Sequence, residues 1–151
     1  MEKAEPQSKD FPACFHRVAI KGLVVKDGKI LFLKESANTS GKWELPGGGL
    51  DFGENIYECL KREVEEEMGV KVKSIENRPT YVWPWKHENK RKMDWYYSFV
   101  VAYKMELESL DFKVTEECDD IRFFSKDEFE NLELCWQTNG LKECFNPKDF
   151  E

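Results

Sequence analysis

Hydrophobic and polar positions alternate in a way that lays out most of the chain. Residues 17–26, RVAIKGLVVK, are rich in β-branched and apolar types. The pair Asp27-Gly28 follows, then the apolar run KILFLK. Two such runs around a D-G pair predict a β-hairpin. Ser36 to Gly41 is a polar loop, and Trp43 to Leu45 predicts a short strand stopped by Pro46 and three glycines, Gly47, Gly48 and Gly49. Ile56, Leu60, Val64 and Met68 then recur every fourth residue, which is one apolar face of a helix from Asn55 to Met68. Asn55 is a good N-cap, Glu58 follows at capping-box spacing, and Gly69 stands where a helix commonly ends.

Beyond the helix, residues 70–84 and 93–105 read as strands separated by the charged turn KHENKRK. Asp120 to Phe124 predicts another short strand. Ser125 opens a second capped helix, S-K-D-E, and Trp136 to Phe145 a last short one. With no internal repeat and no linker, the pattern predicts an α/β fold with a mixed sheet, in one domain over residues 13–151 after a loose polar tail at 1–12.

Composition narrows the class. The 151 residues are 40% hydrophobic and 14% aromatic, enough for a real core. The net charge of −7 and the pI of about 5.1 disfavour nucleic acid as a partner and leave a polyanionic ligand in need of a cation. No apolar run of membrane-spanning length and no signal-peptide pattern occurs, so no membrane partner is expected. The five cysteines are odd in number and widely spaced, which argues against zinc or a disulfide framework and for reduced thiols in the cytoplasm.

The chemistry is concentrated between Gly48 and Val70. Glu63, Glu66 and Glu67 fall at i, i+3 and i+4, within an arc of roughly 100° on the predicted helix. Like charges that close need protonation or a shared cation. A ligand set of carboxylates alone suits a hard ion, Mg²⁺ or Mn²⁺. A solvent-facing acidic helix would show the same three residues, so the acids by themselves leave both readings open.

The segment GGLDFGENIYECLKREVEEEMGV resembles the Nudix box, G-x5-E-x7-R-E-U-x-E-E-x-G-U with U a bulky aliphatic residue. Gly48, Glu54, Arg62, Glu63, Val64, Glu66, Glu67, Gly69 and Val70 fill every defined position. The hairpin before it, the W-E-L-P-G-G lead-in and the I-R-F-F-S-K-D-E-F segment resemble the family more loosely. The resemblance implies an α/β/α sandwich and a hydrolase that splits the diphosphate linkage of a nucleoside diphosphate joined to a group X. Nucleotide sugars, nucleoside triphosphates and dinucleotides all stay open as substrates. By position it implies that Glu63, Glu66 and Glu67 bind the metal with the Gly47 carbonyl. Glu54 is then a further acid nearby, and Arg62 orients the glutamates. It leaves the base among Glu63, Glu66 and an acid beyond the box, where Glu117 ranks ahead of Glu116 and Asp120.

For substrate contacts the sequence offers the aromatics Trp83 and Trp85 on one strand and Trp95 and Tyr97 on the next. It also offers two cations, Arg17 and Lys34. Core packing is the competing reading for each aromatic. Gly49 leaves the position after the paired glycines without a basic side chain. The competing readings are a retired enzyme serving as a nucleotide sensor and an enzyme acting on capped RNA, which the acidic net charge disfavours; a homodimeric assembly stays open.

Overall fold

The computed structural model describes residues 16–89 and 94–151, at 87–89 and 94–96 by backbone alone; the expected tail at 1–12 lies outside the described residues. Among the described residues, nine strands form two sheets. Strand β1 (His16–Leu23) runs to Val24, where the chain leaves the first sheet for the second. There β2 (Val25–Lys26) and β3 (Lys29–Glu35) make the hairpin. Asp27 and Gly28 both have positive φ, 53° and 75°, which is the turn that D-G favours. Strands β4 (Trp43–Glu44) and β9 (Cys118–Phe124) complete a four-stranded antiparallel sheet around β3.

The first sheet is mixed. β5 (Gly47–Gly49) pairs antiparallel with β1, and β1 pairs parallel with β8 (Asp94–Leu107). β6 (Val72–Ile75) and β7 (Tyr81–Asn89) both pair antiparallel with β8. The single strand expected over 70–84 is therefore two. The sequence Asn77-Arg78-Pro79 breaks it, because proline has no N–H to donate to a ladder.

Helix α1 (Ile56–Met68) covers one face of this sheet. Asn55 Oδ1 accepts from the Tyr57 and Glu58 amides at 2.9 and 3.4 Å, and Gly69, in the left-handed conformation, closes the end. Cys59, Leu60, Val64 and Met68 are fully buried against Ile20, Leu31, Leu33 and Tyr103. Each large aliphatic so buried contributes about 1.5–3 kcal/mol. The short helices α2 (Lys126–Phe129) and α3 (Leu141–Cys144), with turns of 3₁₀ helix at Trp136–Thr138 and Pro147–Phe150, cover the other side. There Phe129, Leu141 and Phe145 pack with Ala19, Phe32, Trp83 and Val100. Successive residues of β1 and β3 thus feed opposite cores, and the architecture is the α/β/α sandwich expected. No helix among the described residues is long and apolar enough to cross a membrane.

Candidate active site

A cavity of about 730 Å³ opens between β1, β5, α1 and the segments at 35–44, 116–117 and 135–137. Among the described residues, eight carboxylates and four cationic side chains line it. Its strongly negative wall is the box helix. Carboxylate oxygens of Glu63, Glu66 and Glu117 come within 4.8 Å of one another, a grouping able to hold a metal ion. Two come from α1. The third arrives from a loop tied to the C-terminal end of that helix: the Glu67 carbonyl accepts from Thr115 Oγ1 at 3.0 Å and from Cys118 Sγ at 2.9 Å. Thr115 Oγ1 in turn accepts from the Glu117 amide, at 3.2 Å. Glu116 also lines the cavity, whereas Asp120 pairs with Arg122 at 2.7 Å and does not.

Arg62 binds the acids together. Its guanidinium donates to Glu54 at 2.9 and 3.1 Å, to Glu63 at 3.1 Å and to Glu66 at 3.3 Å. Such charge-assisted bonds fix the rotamers of both partners. Glu54 also accepts the Asp51 amide at 3.2 Å, and its pKa lies below the usual range: burial opposes this, but the Arg62 and Asp51 hydrogen bonds outweigh it. Glu54 is not among the residues lining the cavity and reaches the acid cluster through Arg62.

Glu67 differs from its neighbours on the helix. It is 6% exposed, and Oε1 accepts the Gly47 amide at 2.9 Å. Burial first, then Glu44, pushes its pKa well above the ordinary value against the pull of Lys21. Close approach explains the glycines before it. Gly47 has φ 122°, and a Cβ there would strike the Ile20 carbonyl. A Cβ on Gly48 would stand 2.7 Å from the Glu63 carboxyl carbon.

The cavity floor holds residues that the sequence reading missed. Lys21 is 1% exposed, and its Nζ donates to Glu44 Oε1 at 2.5 Å, to the Gly47 carbonyl at 3.1 Å and to the Leu45 carbonyl at 3.3 Å. Burial disfavours the Lys21 charge, but Glu44 and Glu67 outweigh it and raise the pKa. Burial likewise opposes the Glu44 charge, and Lys21 outweighs it, so that carboxyl stays low. Glu35 sits beside Glu44 and accepts from Ser40 Oγ; burial, then the Glu44 carboxylate, pushes it up to about 7. A lone lysine in the apolar run A-I-K-G-L and a lone glutamate in W-E-L were the available signals, since a charge inside a buried strand needs a partner. At the rim, Trp136 exposes 52% of its surface with Lys42 Nζ 5.6 Å from the ring centroid.

The expected substrate contacts divide. Arg17 lines the cavity; Lys34 does not, and Glu35 takes that place across a register irregularity between the two. Trp83 is a core residue, 7% exposed, with Nε1 donating to the Gln137 carbonyl at 2.6 Å. Trp85 is half-buried and does not line the cavity; Tyr97 stacks on His16 with ring centroids 5.5 Å apart. The ladder pairs Trp83 with Val100 and Trp85 with Ser98, so these two rings face the opposite side of the sheet from Tyr97. The Trp95 side chain lies outside the described residues.

The NUDIX domain family model matches residues 15–142, and the chain belongs to that family. An ADP-ribose pyrophosphatase of Methanocaldococcus jannaschii is 44% identical over 61 residues, which span 38% of this chain and only 36% of that protein. The nucleoside triphosphatase NudI of Klebsiella pneumoniae is 26% identical over 129 residues, covering 78% of this chain and 88% of the other. A MutT NUDIX hydrolase structure from Burkholderia pseudomallei superposes with a TM-score of 0.66 at 25% identity, over 87% of this chain and 98% of that one.

Proposed function

We propose that the chain is a divalent-metal-dependent pyrophosphohydrolase acting on a nucleoside diphosphate linked to X. The observation that carries this is the meeting of Glu63, Glu66 and Glu117 in an open cavity beside a glycine strand. An all-oxygen donor set of this kind fits Mg²⁺ or Mn²⁺. Glu63, Glu66 and Glu117 would hold the ion, with Glu67 and the Gly47 carbonyl next to them. Bound there, such an ion neutralises phosphate charge and acidifies a water. Arg62 keeps the glutamates oriented, and Glu63, Glu66 or Glu117 accepts the proton of the water that attacks phosphorus.

The relatives act by name on ADP-ribose and on nucleoside triphosphates, which fits a substrate class built on a diphosphate. Trp136 offers the flat exposed ring at the rim against which a base or X can lie. The cysteines at 59, 118, 135 and 144 form no disulfide, in keeping with a cytoplasmic setting.

The test is a hydrolysis screen over nucleoside triphosphates, nucleotide sugars, dinucleotides and ADP-ribose with Mg²⁺ and with Mn²⁺, with products identified. One class should yield a nucleoside monophosphate and a phosphorylated remainder, and Glu66→Gln should slow it by about 10²-fold or more. No turnover across the panel, together with a melting temperature that ignores both ions, would remove the enzyme and leave a binding module.

A further inference from the structure

One cation of the cavity is left unused by the acid cluster. Arg17 lies on β1 two residues before Ala19, and Ala19 pairs with Gly49. The Arg17 guanidinium rests over Gly49: a Cβ on residue 49 would collide with Nη2 and stand 2.7 Å from both Cζ and Nε. Glycine at 49 therefore leaves room for a charge delivered from the neighbouring strand. Nη2 is shielded from solvent and has no hydrogen-bond partner among the described residues. Lys21, Lys42 and Arg62, the other cations of the cavity, each have a carboxylate within 4.0 Å. A shielded guanidinium N–H without an acceptor is an unfavourable arrangement that an anionic oxygen would relieve. On the adjoining strand Ser98, buried and lining the same cavity, stands directly opposite Arg17 in the ladder.

We propose that Arg17 is the phosphate clamp of this cavity, gripping a phosphoryl oxygen away from the Glu63–Glu66–Glu117 cluster. The clamp rests on the hydrolase reading for its role in turnover. It also makes a binding claim that stands apart from turnover. An acidic cavity repels a polyanion, and a planar guanidinium can meet phosphate with two parallel hydrogen bonds. Arg17 thereby reads the diphosphate common to all candidate substrates, while X is read elsewhere.

The experiment uses the full chain and inorganic pyrophosphate as probe, followed by calorimetry in Mg²⁺, with turnover of whichever substrate the screen finds. Arg17→Ala should weaken pyrophosphate about tenfold and raise KM more than it lowers kcat. Arg17→Lys should recover part of the loss. The double variant Arg17→Ala with Gly49→Lys should also recover binding, because the new side chain enters the space the guanidinium leaves. Arg17→Ala with Gly49→Gln, similar in size but uncharged, should not. Unchanged pyrophosphate affinity in Arg17→Ala overturns the clamp, and so does equal recovery by the Lys and Gln doubles, which would mark a packing role. A wild-type chain that hydrolyses nucleotides but is indifferent to Arg17→Ala sinks the clamp and leaves the hydrolase standing. Arg17-dependent pyrophosphate binding in a chain that turns over nothing does the reverse.

Discussion

The charges of the cavity form two groups built on opposite terms. On the floor, Lys21, Glu44 and Glu67 are all but sealed from water, and every charge has a partner in the chain: Lys21 bonds Glu44 and two carbonyls, and Glu67 takes the Gly47 amide. At the mouth, Glu63, Glu66 and Glu117 are wetter, and Glu63 and Glu66 share one guanidinium, Arg62, with Glu54 competing for it. A group closed on itself holds a loop in shape. A group left with excess charge of one sign asks for a ligand from outside. Acid clusters are common, and what separates the two kinds is the local balance of charge, not the count of acids.

That contrast can be broken at its strongest point first. Lys21→Met should strand the Glu44 carboxylate in the interior and lower stability by about 3–5 kcal/mol in urea unfolding. Adding Glu44→Leu should return much of the loss, since a matched apolar pair replaces a matched ionic one. Stability unchanged by Lys21→Met would show that the floor is not the scaffold. At the mouth the same logic predicts little effect on folding and a large one on ligand. Arg62→Ala should weaken Mn²⁺ binding by about 10–100-fold while the urea midpoint barely moves. Equal losses in both measurements would erase the distinction.

The smallest effect lies between the groups, at Glu35. Its folded pKa of about 7 stands above the ordinary carboxyl value of 4.5, so the folded chain holds this proton more tightly than the unfolded one. Its contribution to stability is complete below about pH 4.5 and fades as pH rises through 7. Because the group is only half-buried, the loss should be about 1–2 kcal/mol, after allowance for solvent screening. Glu35→Gln should flatten that stretch of the stability profile; a parallel wild-type and variant profile would contradict the assignment.

How much of this could be read in advance follows the range of the interactions. Helix α1, its Asn55 cap, its Gly69 stop and the spacing of Glu63, Glu66 and Glu67 are local, and local pattern shows them. Glu117, too, was named from its place after the box, although the tether through Thr115 that delivers it lies 48 residues from its anchor. The faces of Trp83, Trp85 and Tyr97 were not legible because the register of β7 on β8 decides which faces coincide, and register is not written in either strand alone. On the floor the sequence signalled two buried charges but not their pairing, since Lys21 and Glu44 stand 23 residues apart and meet only when the two sheets come together.

The loop after β8 is pinned at both ends to the stretch around the end of α1: Glu108 donates its amide to Lys71, Lys113 to Met68, and Thr115 its hydroxyl to Glu67. The exposed residues 109–111, ahead of Phe112 and its contact with Phe123, are thus separated by these clamps from the acid that follows. This stretch is the natural place for the chain to accept an insertion, a label or a new terminus, because added length would be absorbed between fixed clamps and Glu117 would keep its address.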